Sequence, residues 1–329
     1  MIKLYIFYHG NLIKIIGGEK LAKYILKRIG ISLITIFIVI TATFFLLKLM
    51  PGGPFDSEKP LPPEIKASLE AKYNLDKPVG KQYLLYLRDL LKGDLGPSMK
   101  FKGRTVQEII GYSFPSSAKL GGVAIVISLV AGVLLGILAA LKYNKWPDTV
   151  CMVLATLGVT LPSFVIATLL MFVFGVKLGW VEITGLKSWS SYILPAIALA
   201  GYSIAFISRL TRSKLLEVLK SDYIRTARSK GVRGRRIMFK HALRNTLIPV
   251  VTYLGPLVAG ILTGSFVVEK IFAIPGLGRE FVSTITNRDY TTILGVTIFY
   301  STFLILCNLI VDIMYVIIDP RIKLENVEV

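Results

Sequence analysis

Between Ile29 and Leu47 the chain carries no charged side chain, and apolar stretches of comparable length recur five more times before the C-terminus. About 20 apolar residues wound as a helix cross the hydrocarbon of a bilayer, so these runs restrict the chain to an all-α integral membrane fold. Overall, 53% of the 329 residues are hydrophobic and the mean hydropathy is +0.64, too apolar for a soluble domain of this size. The formal net charge of +19 raises the question of nucleic acid. In a nucleic-acid binder the cations line a groove with interleaved aromatics, whereas here they bunch at the ends of the apolar runs.

Six spans are expected, at 29–49, 119–141, 148–174, 193–208, 247–268 and 291–318. Residues 1–28 form an extension with Lys3, Lys14, Lys20, Lys23, Lys27 and Arg28 against Glu19, which places the N-terminus in the cytoplasm by the positive-inside rule. It lies on the membrane surface or stays an unstructured tail. Met50-Pro-Gly-Gly-Pro54 stops the first helix, and 50–116 reads as an ordered external segment with amphipathic pieces at Ile65 to Tyr73 and Gln82 to Leu91.

On the second span Ser128, Gly132, Gly136 and Ala140 recur every four residues, a stripe that lets another helix approach closely. Pro147 suits the first turn of the third span, and Leu161-Pro-Ser163 is expected to bend it. Trp180 and Trp189 lie in an outer loop at headgroup level. Asp312, inside the sixth span, has two readings: a pathway residue, or a helix-end carboxylate satisfied by its neighbours. A tail at 319–329 returns the C-terminus to the cytoplasm.

The loop at 209–246 holds twelve Arg and Lys against Glu217 and Asp222, which fixes it on the inner side. Within it, Ser221 to Gly231 reads as a short surface helix: Ser221 and Asp222 are N-cap candidates, and Gly231 can close the last turn in the left-handed conformation. Tyr223 and Ala227, four apart, are placed on one docking face, with Arg225, Arg228 and Lys230 supplying charge elsewhere. A solvated loop with ordinary positive bias is the alternative.

Chemistry of other kinds is not indicated. Cys151 and Cys307 each lie in an apolar run, His9 and His241 are far apart, and neither a metal site nor a cofactor is expected. No GxxxxGK[ST] loop, Ser/His/Asp set, HExxH or GxSxG element occurs, so no catalytic residue is expected and any ATPase must be another polypeptide.

Several stretches then carry a family resemblance: Leu49-Met-Pro-Gly-Gly-Pro-Phe55, Gly93-Asp-Leu-Gly-Pro-Ser98, Asp222-Tyr-Ile-Arg-Thr-Ala-Arg-Ser-Lys-Gly231 followed by His241-Ala-Leu-Arg-Asn-Thr-Leu-Ile-Pro249, Gly264-Ser-Phe-Val-Val-Glu-Lys-Ile-Phe272, Pro275-Gly-Leu-Gly278, Asn287-Arg-Asp-Tyr290 and Asp319-Pro-Arg-Ile322. Their joint order resembles the B-type permease subunits of binding-protein-dependent ABC importers, in the peptide and nickel branch. Pro51 to Pro63, Gly93 to Lys102 and Phe114 to Gly121 look most like the oligopeptide form. The resemblance covers about residues 24 to 324, with the permease core at 112–312.

The resemblance implies the type I importer fold, a cell-membrane location, a second, C-type permease, two ABC ATPase subunits, an extracytoplasmic substrate-binding protein and a peptide substrate among membrane lipids, with no nucleic acid. Dipeptides, nickel or a metallophore are alternative cargoes, and a secondary transporter is the more distant reading. It assigns ATPase coupling to Asp222, Tyr223, Ile224, Arg225, Thr226, Ala227, Arg228 and Gly231. The wider superfamily has Glu-Ala-Ala where this chain has Arg225-Thr226-Ala227, so no salt bridge from that motif is implied here.

Overall fold

A computed structural model of the chain describes residues 2–50, 52–56, 62–186, 188–263 and 266–318, and their side chains except at 2–24, 259, 263 and 311–318. All helices and no strands are found among the described residues, in two compact units: 1–49 with 297–329, and 50–296.

The first unit contains α1 (Ile2–Leu49) and the larger part of α13 (Tyr290–Ile318). Helix α1 does not begin where the charges end: it is continuous from Ile2, with Ile25–Leu49 apolar enough to cross a membrane. Two of its threonines are satisfied within the helix: Thr35 and Thr41 donate their hydroxyls to the carbonyls of Ile31 and Phe37, at 2.9 and 2.8 Å. On α13, Phe299 and Phe303 stack one turn apart at 6.2 Å. The Asp312 side chain, Gly264, Ser265 and the quoted Asp319 to Ile322 lie outside the described residues.

The second unit opens with a layer of two short helices. Helices α2 (Pro63–Lys72) and α3 (Val79–Leu91) fall where the amphipathic pieces were expected. Phe55 is buried against the Tyr73 ring at 5.6 Å, and Tyr73 donates its hydroxyl to the Ser98 carbonyl at 2.9 Å. Helix α4 (Val106–Leu141) starts well before the expected residue 119 and holds Pro115 in its interior. Its start is set by a capping box: the Thr105 side chain accepts the Glu108 N–H at 3.2 Å, and the Glu108 carboxylate accepts the Thr105 N–H at 3.0 Å.

The third span is broken. Helix α5 (Trp146–Thr160) and helix α6 (Ser163–Leu170), which runs on through a π-helical turn Met171–Lys177, meet at Leu161-Pro162 with a bend of 110°. That is sharper than the kink expected from one proline, because Leu161 is itself extended (ψ 126°) ahead of Pro162. Helix α7 (Ile193–Leu219) continues past the expected end at residue 208. After α8 (Asp222–Ser229) come α9 (Gly234–Arg236), a π-helical turn Ile237–Ala242, and α10 (Leu243–Thr263) with Pro249 and Pro256 inside it. Two short helices, α11 (Phe266–Ile271) and α12 (Leu277–Thr286), precede α13. Among the described residues five helical stretches are long and apolar enough to cross a membrane, six if the bent α5–α6 pair is one span.

Helices α4 and α7 form the spine of this unit. A Cβ on Gly132 would lie 2.7 Å from the Ile207 Cβ, and one on Gly136 would lie 2.6 Å from the Ser208 carbonyl oxygen. Those glycines are what let the two backbones approach, which in lipid replaces the hydrophobic drive. Leu120, Leu194, Ile207, Leu257 and Phe272 centre the main cluster, and a second one gathers Ala140, Leu215, Val218, Ile224, Ile237 and Ala242 at the far end of α4.

Candidate functional site

Helix α8 is eight residues long, too short to persist in water by itself, since isolated helices need about 12–15 residues even with favourable composition. Packing holds it. Ile224 is 0% exposed and sits in the second cluster, with Ala227 and Val232 half-buried against the same residues. At its C-terminus the Val232 N–H donates to the Ala227 carbonyl (3.1 Å) and the Gly231 N–H to that of Arg228 (2.9 Å), with Gly231 at φ +74°. This is a Schellman closure, and its accompanying hydrophobic pair is Ala227 with Val232.

The N-terminus is built differently from the expectation. Ser221 stands in the N-cap position, yet its hydroxyl donates to the Val218 carbonyl at 2.6 Å and so finishes α7. The N–H groups of Ile224 and Arg225 turn instead to the Ser221 backbone carbonyl, both at 3.2 Å. Asp222, in the first turn, brings negative charge to the positive end of the helix dipole and lies 3.7 Å from Arg225.

All the residues assigned to coupling are thus on one short element, and they divide by face. Ile224 and Ala227 point into the protein; Asp222, Arg225, Thr226 and Arg228 are exposed, and Gly231 supplies the closing turn. Tyr223 and Ala227 therefore do not share an outward face. Tyr223 lies at the edge, where its hydroxyl accepts the Asn245 amide N–H at 2.8 Å and ties α8 to the start of α10. Asn245 was not anticipated, and neither was the π-helical turn that carries the buried Ile237 and Ala242. The three-residue spacing of Ile224 and Ala227, with Val232 after the glycine, was a legible sign of the inner face.

Elsewhere in the unit, Asp148 and Arg212 form a bidentate pair at 2.6 and 2.7 Å, with the Asn144 N–H adding a third bond to the carboxylate at 3.0 Å. Asp148 is buried, and the Arg212 guanidinium also stands 5.2 Å from the centre of the Tyr143 ring. The pair clamps the α4–α5 turn to α7, about two turns before α7 ends.

At its other end α4 is fastened by a second buried carboxylate. Glu269 is 0% exposed; it accepts the Ser117 hydroxyl at 2.7 Å and the Arg279 N–H at 2.9 Å, while the Ser117 oxygen accepts the Leu277 N–H at 2.9 Å. The first turn of α12 is thereby fixed to α4. Gly278 is required there, because a Cβ would lie 2.8 Å from the Phe266 Cα. Asp289, also 0% exposed, gathers Ser98 Oγ, the Met99 N–H (3.1 Å) and the Thr292 hydroxyl (2.8 Å), joining the segment between α3 and α4 to the start of α13. Among the described residues no group of three or more His, Cys, Asp or Glu is placed to hold a metal.

Residues 132–324 match the family described as the binding-protein-dependent transport system inner membrane component, and residues 21–130 match the N-terminal component of the same systems. The chain belongs to that family. The permease is 48% identical to the oligopeptide transport system permease protein OppB of Haemophilus influenzae over 92% of its own length and 99% of that protein. It is 47% identical to the dipeptide transport system permease protein DppB of Bacillus subtilis, over 93% and 99% of the two chains. In fold it is similar to a solved amino acid ABC transporter crystallised with histidines, at 16% identity and a TM-score of 0.50, covering 63% of this chain and 93% of that one. The permease therefore has the all-helical type I ABC permease fold and is the multi-pass membrane subunit of a binding-protein-dependent ABC importer. ATP hydrolysis lies in separate subunits, and the permease works with other permease, ATPase and binding-protein components.

Proposed function

We propose that the permease is the B-type membrane subunit of an oligopeptide importer, pairing with a C-type permease over two ABC ATPase subunits and receiving peptide from an extracytoplasmic binding protein. The observation that carries the cargo is the 48% identity spanning 99% of the Haemophilus influenzae oligopeptide permease. The 47% identity to the Bacillus subtilis dipeptide permease keeps dipeptides as the second reading. The bounds proposed for the parts are those expected from the sequence, with α4 entering the membrane below a stem that begins at Val106. Both termini and the 209–246 loop lie in the cytoplasm, for the loop's cations favour that side.

In this reading α8 is the part that seats in the ATPase. It is about 12 Å long at 1.5 Å per residue, it offers Asp222, Arg225, Thr226 and Arg228 outward, and Ile224 keys it into the cluster that also holds the inner ends of α4 and α7. Movement of the ATPase surface then reaches two membrane helices through packed side chains rather than through a loose loop. The test is uptake by a deletion strain and its complemented parent of labelled longer peptides, dipeptides and nickel side by side. Loss confined to longer peptides is expected; retained peptide uptake with lost nickel uptake would overturn the cargo.

A further inference from the structure

Residues 269–290 are formally neutral, with Glu269, Glu280 and Asp289 against Lys270, Arg279 and Arg288, but folding separates the signs. Glu269 and Asp289 are fully buried and spend their oxygens on internal hydrogen bonds, whereas Lys270 and Arg279 are exposed. Neither cation forms an ion pair among the described residues, and the partly exposed Glu280 does not line the hollow beside them. That hollow is a half-open groove of about 470 Å³ between the turn after α11 and one face of α12, lined by Lys270, Arg279, Val282, Ser283, Thr286 and Asn287.

We infer that this groove is a docking surface for a carboxylate-bearing loop of the substrate-binding protein. Two cations flanked by hydroxyl and amide side chains suit an acidic, hydrogen-bonding segment. Small ligands are held in clefts that enclose most of their surface, and this groove is open along one side, which favours a protein surface over a free peptide. Its floor is also rigid. The Glu269 and Ser117 hydrogen bonds fix α12 to α4, so a load on the groove bears directly on a helix whose far end, through Ala140, packs with Ile224 of α8.

The assignment rests on the importer reading and places 269–290 on the outer side. It is tested in proteoliposomes holding the complete importer, with ATPase activity followed against the concentration of its peptide-loaded binding protein. The double variant Lys270→Glu with Arg279→Glu should raise the half-saturating binding-protein concentration about tenfold or more, with little change in maximal rate, and flatten its dependence on salt. If the reversal does not assemble, Lys270→Gln with Arg279→Gln should still raise it severalfold. An unchanged half-saturation and salt dependence would overturn the assignment. So would a variant in which only the peptide concentration dependence moves at saturating binding protein, since the groove would then meet peptide. Absence of any binding-protein stimulation in the unaltered importer would sink the importer reading itself, and the groove assignment with it.

Discussion

Truncating Ile224 to alanine removes the one fully buried side chain of α8 and leaves its exposed face untouched. Three carbons are lost from a site closed by Leu215, Val218, Ile237 and Ala242. At about 0.8 kcal/mol per buried methylene that is roughly 2.4 kcal/mol, and incomplete collapse of the cavity brings the usual range to about 2–5 kcal/mol. Since α8 is too short to remain helical alone, most of this falls on its attachment. At about 1.4 kcal/mol per factor of ten, the attached state weakens by something on the order of 100-fold. The assay is peptide uptake alongside ATPase stimulation by loaded binding protein, with the amount of permease in the membrane measured in parallel. Uptake and stimulation should fall together at normal abundance, and Ile224→Val, costing about 0.5–1.5 kcal/mol, should fall between. Wild-type uptake and stimulation in a normally abundant Ile224→Ala permease would refute the idea that buried packing holds the helix.

Gly231→Val meets no atom within 4 Å but must adopt φ +74°, a strain of about 1–2 kcal/mol that should loosen the same helix and lower uptake without changing abundance. Gly136→Val puts its Cβ against the Ser208 carbonyl, so α4 and α7 must part; a cost of about 1–3 kcal/mol should appear as a lower melting temperature of the purified complex. Glu269→Gln keeps the volume but turns a donor toward Ser117 Oγ–H or the Arg279 N–H, and should cost about 1–3 kcal/mol, read by the same melting experiment. The hydrogen bond from Lys66 holds the Asp56 carboxyl below the usual carboxylate range and raises the Lys66 ammonium. That contact is fully present above the unfolded carboxylate pKa near 3.9 and lost as pH falls through the lower folded value; the protection of the Gly53, Asp56 and Lys66 amides, taken relative to their intrinsic exchange rates, should be unaffected by this pair between pH 6 and 8 and fall below about pH 4.

What the sequence disclosed followed from rules that act locally. The apolar runs, the small-residue stripe through Gly132 and Gly136, the proline at 162 and the closing glycine at 231 all depend on neighbours in the chain; the stripe meets α7 and Gly231 takes the left-handed turn, while the helices carrying the runs extend beyond them at 106 and 219 and the proline gives a break rather than a kink. The early start of α4 was legible too, in Thr105 and Glu108, but Pro115 argued more loudly for an end than the capping box did for a beginning. Long-range pairing was not legible. Asp148 with Arg212, Glu269 with Ser117 and Asp289 with Ser98 join residues far apart in sequence, and nothing in their local patterns names the other member. On α8 two spacings competed: Tyr223 and Ala227 satisfy a four-residue period, but it is Ile224 and Ala227, three apart, with Val232 past the glycine, that mark the inward side.

Between Ser117 and Ala140, α4 is one unbroken strut of roughly 35 Å, at 1.5 Å per residue. A member with no slack cannot let its two ends change posture in turn. If α8 seats in the ATPase and the groove by α12 faces outward, as proposed, the two sides are geared to switch in a single stroke, and any posture with both sides ajar, through which ions would leak, would have to buckle that strut first.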